Sequence, residues 1–294
     1  MESLAKNSYS VDLFKMKRAD SIAQFFALFV CLEETNEPLE ECLTMLNIFK
    51  HEMAANSNTI KHTMNYKELI ENSKNGYMSS FLTIEEGAVI EGSLSNLKKL
   101  FELGVRLMTL TWNYPNEIGF PNYNRRYMDM GLTTFGCDVV EEMNDLSMII
   151  DVSHLSDKGF YDVAAISKKP FIASHSNSRS ITDNARNLTD KMIKVLANKG
   201  GIIGINFERT FLGNSSYGMV SEMVRHIKHI KNIGGIDLIS IGSDFDGIKT
   251  PAEISDISQI DKLHSSLIEN NFTEKEIEKI FYKNALRFLK DTLS

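Results

Sequence analysis

Two histidines delivered by the same route constrain this chain more than any other feature. In the run from Met148 to His175, one apolar stretch, Met148-Ile149-Ile150, passes through Asp151-Val152-Ser153 into His154, and a second, Pro170 to Ser174, ends on His175. Between them, residues 157–168 have the spacing of an amphipathic helix. Strand, helix, strand in that order makes the strands parallel, so both histidines fall at the same edge of one sheet. Two imidazoles on one rim suggest a metal site.

The rest of the chain repeats the alternation. Apolar strands are expected near residues 25, 82, 108, 149, 172, 203 and 240, separated by amphipathic helices, which predicts a parallel sheet. Pro38 opens a helix expected to run to about His62, Gly104 is placed to stop the helix Leu94 to Leu103, and Thr273 with Glu276 forms a capping box. Polar residues collect where the strands stop: Glu85, Trp112, His154, His175, Asn206 and Asp244. Barrel enzymes place their chemistry there, so the expected fold is an α/β, TIM-like (β/α)8 barrel with one strand unaccounted for. The 294 residues suit a single domain spanning 1–294.

Composition excludes several classes. A net charge of −7 argues against a nucleic-acid or anionic-membrane surface. No stretch has the length of a membrane span, and the apolar run from Ile22 to Leu32 lacks the flanks of a signal peptide. Cys31, Cys42 and Cys137 are odd in number and lack CxxC spacing, so reduced thiols and a cytoplasmic location are expected.

His154 and His175 are neutral nitrogen donors suited to zinc, and Glu85 or its neighbour Glu86 supplies a carboxylate, Glu85 being nearer the strand. A metal held there would activate water. Asp244 ends the last strand and is the expected general base and then acid, with Asp246 assigned to the turn before Gly247. The loop 176–187 carries Arg179 and Arg186, each able to grip a carboxylate but, from spacing alone, better read as solvent-facing charges. His51, His62, His226, His229 and His264 read as surface residues on helices. Asn113 to Tyr127 is a long aromatic loop expected to cover the site and to govern substrate preference.

The segments LTIEEG (82–87), GVRLMTLTWN (104–113), MIIDVSHLS (148–156), PFIASHSNSR (170–179), DNARN (183–187), GIIGINF (201–207) and IGSDFDG (241–247), in this order and spacing, resemble the membrane (renal) dipeptidase family of zinc peptidases, in its bacterial branch. The resemblance implies a (β/α) barrel that hydrolyses dipeptides with two zinc ions. It makes Glu85 the carboxylate bridging the metals, His154 and His175 ligands of one of them, Asp244 the acid/base and Arg186, rather than Arg179, the holder of the substrate carboxylate. It also suggests a homodimer. Trp112 stands where the animal enzymes carry a substrate-contacting histidine. The family opens with a strand ending in His-x-Asp, and no His-x-Asp occurs here, so the missing strand and the missing ligand pair are expected to be one absence. An N-terminally truncated, impaired or inactive barrel that binds one metal or a small carboxylate is therefore the alternative to an active dipeptidase.

Overall fold

A computed structural model describes residues 2–294. They fall into two compact units, one comprising Ile22–Ile172 with Leu289–Ser294, the other the residues up to Ser21 with Ala173–Phe288.

The first unit holds strands β1 (Ala23–Phe29), β2 (Ile60–His62), β3 (Met78–Glu85), β4 (Val105–Thr109) and β5 (Ile149–Asp151), and the first residue of β6 (Ile172–Ala173). Every pairing is parallel, in the order β1, β3, β4, β5, β6, with β2 alongside the N-terminal part of β3. β3 is buried along nearly its whole length, as a strand covered on both faces must be. Its hydroxyls are satisfied by backbone carbonyls: Thr83 Oγ1 donates to the carbonyl of Phe26 and Ser80 Oγ to that of Lys61. The helices Leu94–Glu102, Thr134–Leu146 and Asp157–Ile166 bury one apolar face each, through Leu97 and Leu100, Val139, Val140 and Met143, and Phe160 and Val163. The register sets one line across this unit: Phe29 lies opposite Glu85, Glu85 opposite Thr109, Thr109 opposite Asp151 and Asp151 opposite Ile172. Residues just beyond that line share one rim.

The second unit contains β7 (Ile202–Ile205), paired in parallel with β8 (Ile239–Ile241). Its helices include Asp190–Asn198 and Val220–Gly234. The chain closes with the expected Thr273 and Glu276 capping box, but the final helix is interrupted by a π turn over Lys279–Lys283. Among the described residues, no helix is long and apolar enough to cross a membrane.

All seven expected strands are present, and one extra was not foreseen. The helix that begins at Pro38 ends at Ala55, where Asn56 caps it, and residues 60–62 form β2 instead. His62 is therefore on a strand. Its Nε2 lies 3.2 Å from the carbonyl of Gly104, whose φ of +106° and lack of a side chain leave room for the imidazole ring.

Gly204 on β7 has no room for a side chain: a Cβ there would lie 1.9 Å from the carbonyl oxygen of Ser174 and 2.8 Å from Cα of Gly242. Both obstacles are backbone and cannot swing aside. Gly204→Ala should lower the unfolding free energy by about 1–3 kcal/mol, measured by urea denaturation, whereas Gly76→Ala, with nothing within 4 Å, should show only the strain of its φ of +77°.

Candidate metal centre

Glu85 is the last residue of β3, and His154 stands three residues past β5. Glu85 Oε1 and His154 Nε2 are 3.1 Å apart. The other ring nitrogen of His154, Nδ1, faces Asn113 Oδ1 at 3.2 Å. An amide oxygen only accepts, so Nδ1 donates to it, and Nε2 is the ring nitrogen that faces Glu85. The backbone carbonyl of His154 accepts from the Asn122 amide at 2.7 Å, so the Asn113 to Tyr127 loop grips this residue at two points. Below it the buried Asp151 accepts from Thr109 Oγ1 at 2.7 Å and from Ser153 Oγ at 2.7 Å, which anchors the turn leading to His154.

In the second unit, His175 lies two residues past β6, with Nδ1 2.7 Å from Ser174 Oγ. Asn206, immediately after β7, is a junction: its Nδ2 donates to Asp244 Oδ2 at 3.0 Å and to the carbonyl of His175 at 3.4 Å, while its Oδ1 accepts from the amide of Glu208. Asp244 follows β8 with φ +61°. Its own carbonyl closes the turn with the Gly247 amide, and the Asp246 carboxylate accepts from the Ser10 amide at 2.7 Å. Asp246 lies inside that turn, as expected, with φ +66°, and its carboxylate in addition anchors Ser10.

Glu85 and His154 in the first unit, and His175 in the second, each offer one ligand atom. One carboxylate and two imidazoles are a donor set suited to zinc.

The neighbouring Glu86 does other work. It is fully buried, with φ +100°, and accepts from the amides of Ala88 and Trp112 at 2.8 and 3.0 Å and from Asn116 Nδ2 at 2.5 Å. Burial raises its pKa, against these three donors. Trp112 is half-buried, its ring 6.3 Å from that of His154.

The arginines of the 176–187 loop are not solvent-facing. Arg179 donates to the carbonyls of Asn187 and Ala185 at 2.8 and 3.0 Å and so closes the loop on itself. Arg186, on that loop, is only 4% exposed and its guanidinium lies 5.3 Å from the centre of the Phe211 ring. Sequence reasoning did not find Asn113, Ser174 or Asn206 as partners of site residues, although each sits beside a strand end that it did single out.

The sequence model of the membrane dipeptidase family, peptidase family M19, matches residues 1–293. The chain belongs to that family. It is 30% identical to a protein encoded in the pqqA 5′ region of Klebsiella pneumoniae, over 87% of this chain and 97% of that one, and 29% identical to an uncharacterized dipeptidase of Schizosaccharomyces pombe, over 96% and 72%. Among solved structures it resembles dipeptidase AC, a metallopeptidase, with a TM-score of 0.91, 27% identity and coverage of 98% and 90%. It is similar also to a metallopeptidase from Rhodobacter sphaeroides liganded with a phosphinate mimic of the dipeptide L-Ala-D-Ala, with a TM-score of 0.90, 26% identity and coverage of 98% and 92%. The fold is thus the TIM-like α/β barrel class of these metallodipeptidases, as expected.

His226, expected on the surface, is completely buried. Its Nδ1 accepts from the Ser178 amide at 3.1 Å and its Nε2 donates to the carbonyl of Leu212 at 2.9 Å, a pattern that only the neutral ring satisfies. Burial depresses its pKa from 6.5 to about 4. The unfolded chain therefore takes up this proton first as pH falls: the stabilisation is fully present above 6.5 and is lost as pH drops towards 4. From this group alone the loss should be on the order of 3 kcal/mol. Urea unfolding from pH 7.5 to 4.5 should show a shallower decline in His226→Gln than in the native chain.

Proposed function

We propose that this protein is a zinc-dependent dipeptidase in which Glu85, His154 and His175 hold metal, Asp244 carries the proton, Arg186 binds the substrate carboxylate and Trp112 lies against the substrate. The observation that carries this reading is the approach of Glu85 Oε1 to His154 Nε2 at 3.1 Å, with a side-chain oxygen against one ring nitrogen of each imidazole. Family membership and the Rhodobacter sphaeroides neighbour, solved with a dipeptide mimic, support the choice of substrate.

When bound, zinc supplies a Lewis acid that polarises the scissile carbonyl and acidifies water. The remaining work falls to the chain. Asn206 donates to Asp244 Oδ2 and so orients the carboxylate that would take a proton from the attacking water and pass it to the departing amine. The Arg186 guanidinium offers a planar fork matched to a terminal carboxylate, and the Phe211 ring beneath it limits its orientations. His154 and His175 are oriented by Asn113 and Ser174, so little reorganisation accompanies metal binding.

A second reading, metal binding without turnover, is favoured by the size of the ligand group, which has three members. Metal analysis of the purified protein, paired with a dipeptide panel and a His175→Ala control, separates the two. The proposal expects zinc retained through dialysis and hydrolysis that falls roughly a hundredfold or more in the variant, at least the scale on which outer partners of metal ligands act. Zinc without hydrolysis favours the second reading, and neither zinc nor hydrolysis rejects both.

A further inference from the structure

Beside the Glu85 and His154 pair stands a group of aromatic rings that the hydrolytic chemistry does not use. Phe29 ends β1 directly opposite Glu85 in the register and is 38% exposed, on a strand of which only Leu28 is buried. Its ring meets Trp112 edge-on, with centroids 4.8 Å apart and planes at 72°. Tyr114 lies 5.8 Å from Trp112 on the loop that follows β4, and the His154 ring is 6.3 Å from the same indole.

Two of the three residues are also held from outside the group. Phe29 is held by strand pairing, and Trp112 by the hydrogen bond from its backbone amide to the buried Glu86 carboxylate. They therefore present a preformed apolar surface that loses little side-chain freedom when something covers it. Resting on the dipeptidase reading above, we propose that Phe29, Trp112 and Tyr114 form the wall of a side-chain subsite, and that the substrates are dipeptides with an aromatic or branched apolar side chain.

The surroundings argue against the other side-chain classes. An acidic side chain there would meet Glu85. A basic one would sit beside residues suited to a divalent cation. A neutral polar side chain would lose water against the faces and edges of the rings. An apolar ring gains edge-to-face contacts of the kind Phe29 and Trp112 already make.

The test uses the zinc-loaded protein and the dipeptides Ala-Ala, Ala-Phe, Phe-Ala, Ala-Asp and Ala-Lys. Trp112 is the one tryptophan of the chain, so its emission reports on the wall independently of turnover. We expect kcat/KM for the better of Ala-Phe and Phe-Ala to exceed that for Ala-Ala by about tenfold, and Phe29→Ala and Tyr114→Ala each to reduce that ratio to roughly twofold. The same phenyl dipeptide should shift the Trp112 emission saturably, and Ala-Asp should not. Hydrolysis with no phenyl preference, with Ala-Lys as best substrate, or with a ratio unmoved in both variants would overturn the wall and leave the dipeptidase reading standing. Emission that responds to the phenyl dipeptide, weakened in Phe29→Ala, without hydrolysis of any dipeptide would keep the apolar site and remove the hydrolase. Neither signal would remove both.

Discussion

The rim of the first unit depends on one constraint, the parallel register that sets Phe29, Glu85, Thr109, Asp151 and Ile172 on a single cross-strand line. A slip of one residue in a strand turns every side chain to the opposite face. In β3 such a slip would exchange Glu85 for Glu86, two identical side chains with unrelated surroundings. Glu85 reaches His154, whereas Glu86 is enclosed by three donors and holds the Trp112 backbone. Apolar packing alone would tolerate the error poorly, but the polar ties make it worse: Thr83 to the Phe26 carbonyl and Thr109 to the Asp151 carboxylate each require one register. A buried donor without its acceptor costs more than the bond was worth.

The histidines show how local hydrogen bonding separates a ligand from a structural residue. Asn113 Oδ1 and Ser174 Oγ each stand against one ring nitrogen, of His154 and of His175, and the other nitrogen of His154 faces Glu85. His226 spends both nitrogens, on the Ser178 amide and the Leu212 carbonyl, and has none to offer. Yet it is not remote from function, because Ser178 lies three residues past His175 at the start of the loop that carries Arg186. Arg179 fastens the same loop from within by its bonds to the carbonyls of Ala185 and Asn187. A buried neutral imidazole and a half-buried guanidinium thus hold this irregular segment in place.

Much of this was legible in the sequence, for a physical reason. Buried parallel strands read as continuous apolar runs, and the residue at which each run stops is visible, so Glu85, His154, His175 and Asp244 were placed at strand ends before any coordinates. Gly104 and the Thr273 capping box were legible because their backbone demands are local. β2 was not, since Ile60-Lys61-His62 has one buried apolar residue and is a strand only because the N-terminal part of β3 needs a partner. His226 and Arg179 were misjudged for a related reason. A polar side chain on a helix or in a loop looks solvated unless its acceptor is known, and those acceptors, the carbonyls of Leu212, Ala185 and Asn187, are backbone atoms that carry no residue signature.

The Asp244 turn shows how one local conformation serves two requirements. Asp244 and Asp246 both have positive φ, at +61° and +66°, a region that aspartate tolerates better than most residues but still at a cost of about 1 kcal/mol each. That conformation lets the carbonyl of Asp244 accept from Gly247 while its carboxylate turns to Asn206. An extended backbone would end β8 without reversing the chain, and a glycine would reverse it without supplying a carboxylate. The strain is therefore retained where turn and carboxylate must coincide, and Gly247, whose Cβ would lie 2.5 Å from Asp244 Oδ1, keeps the space that the carboxylate occupies.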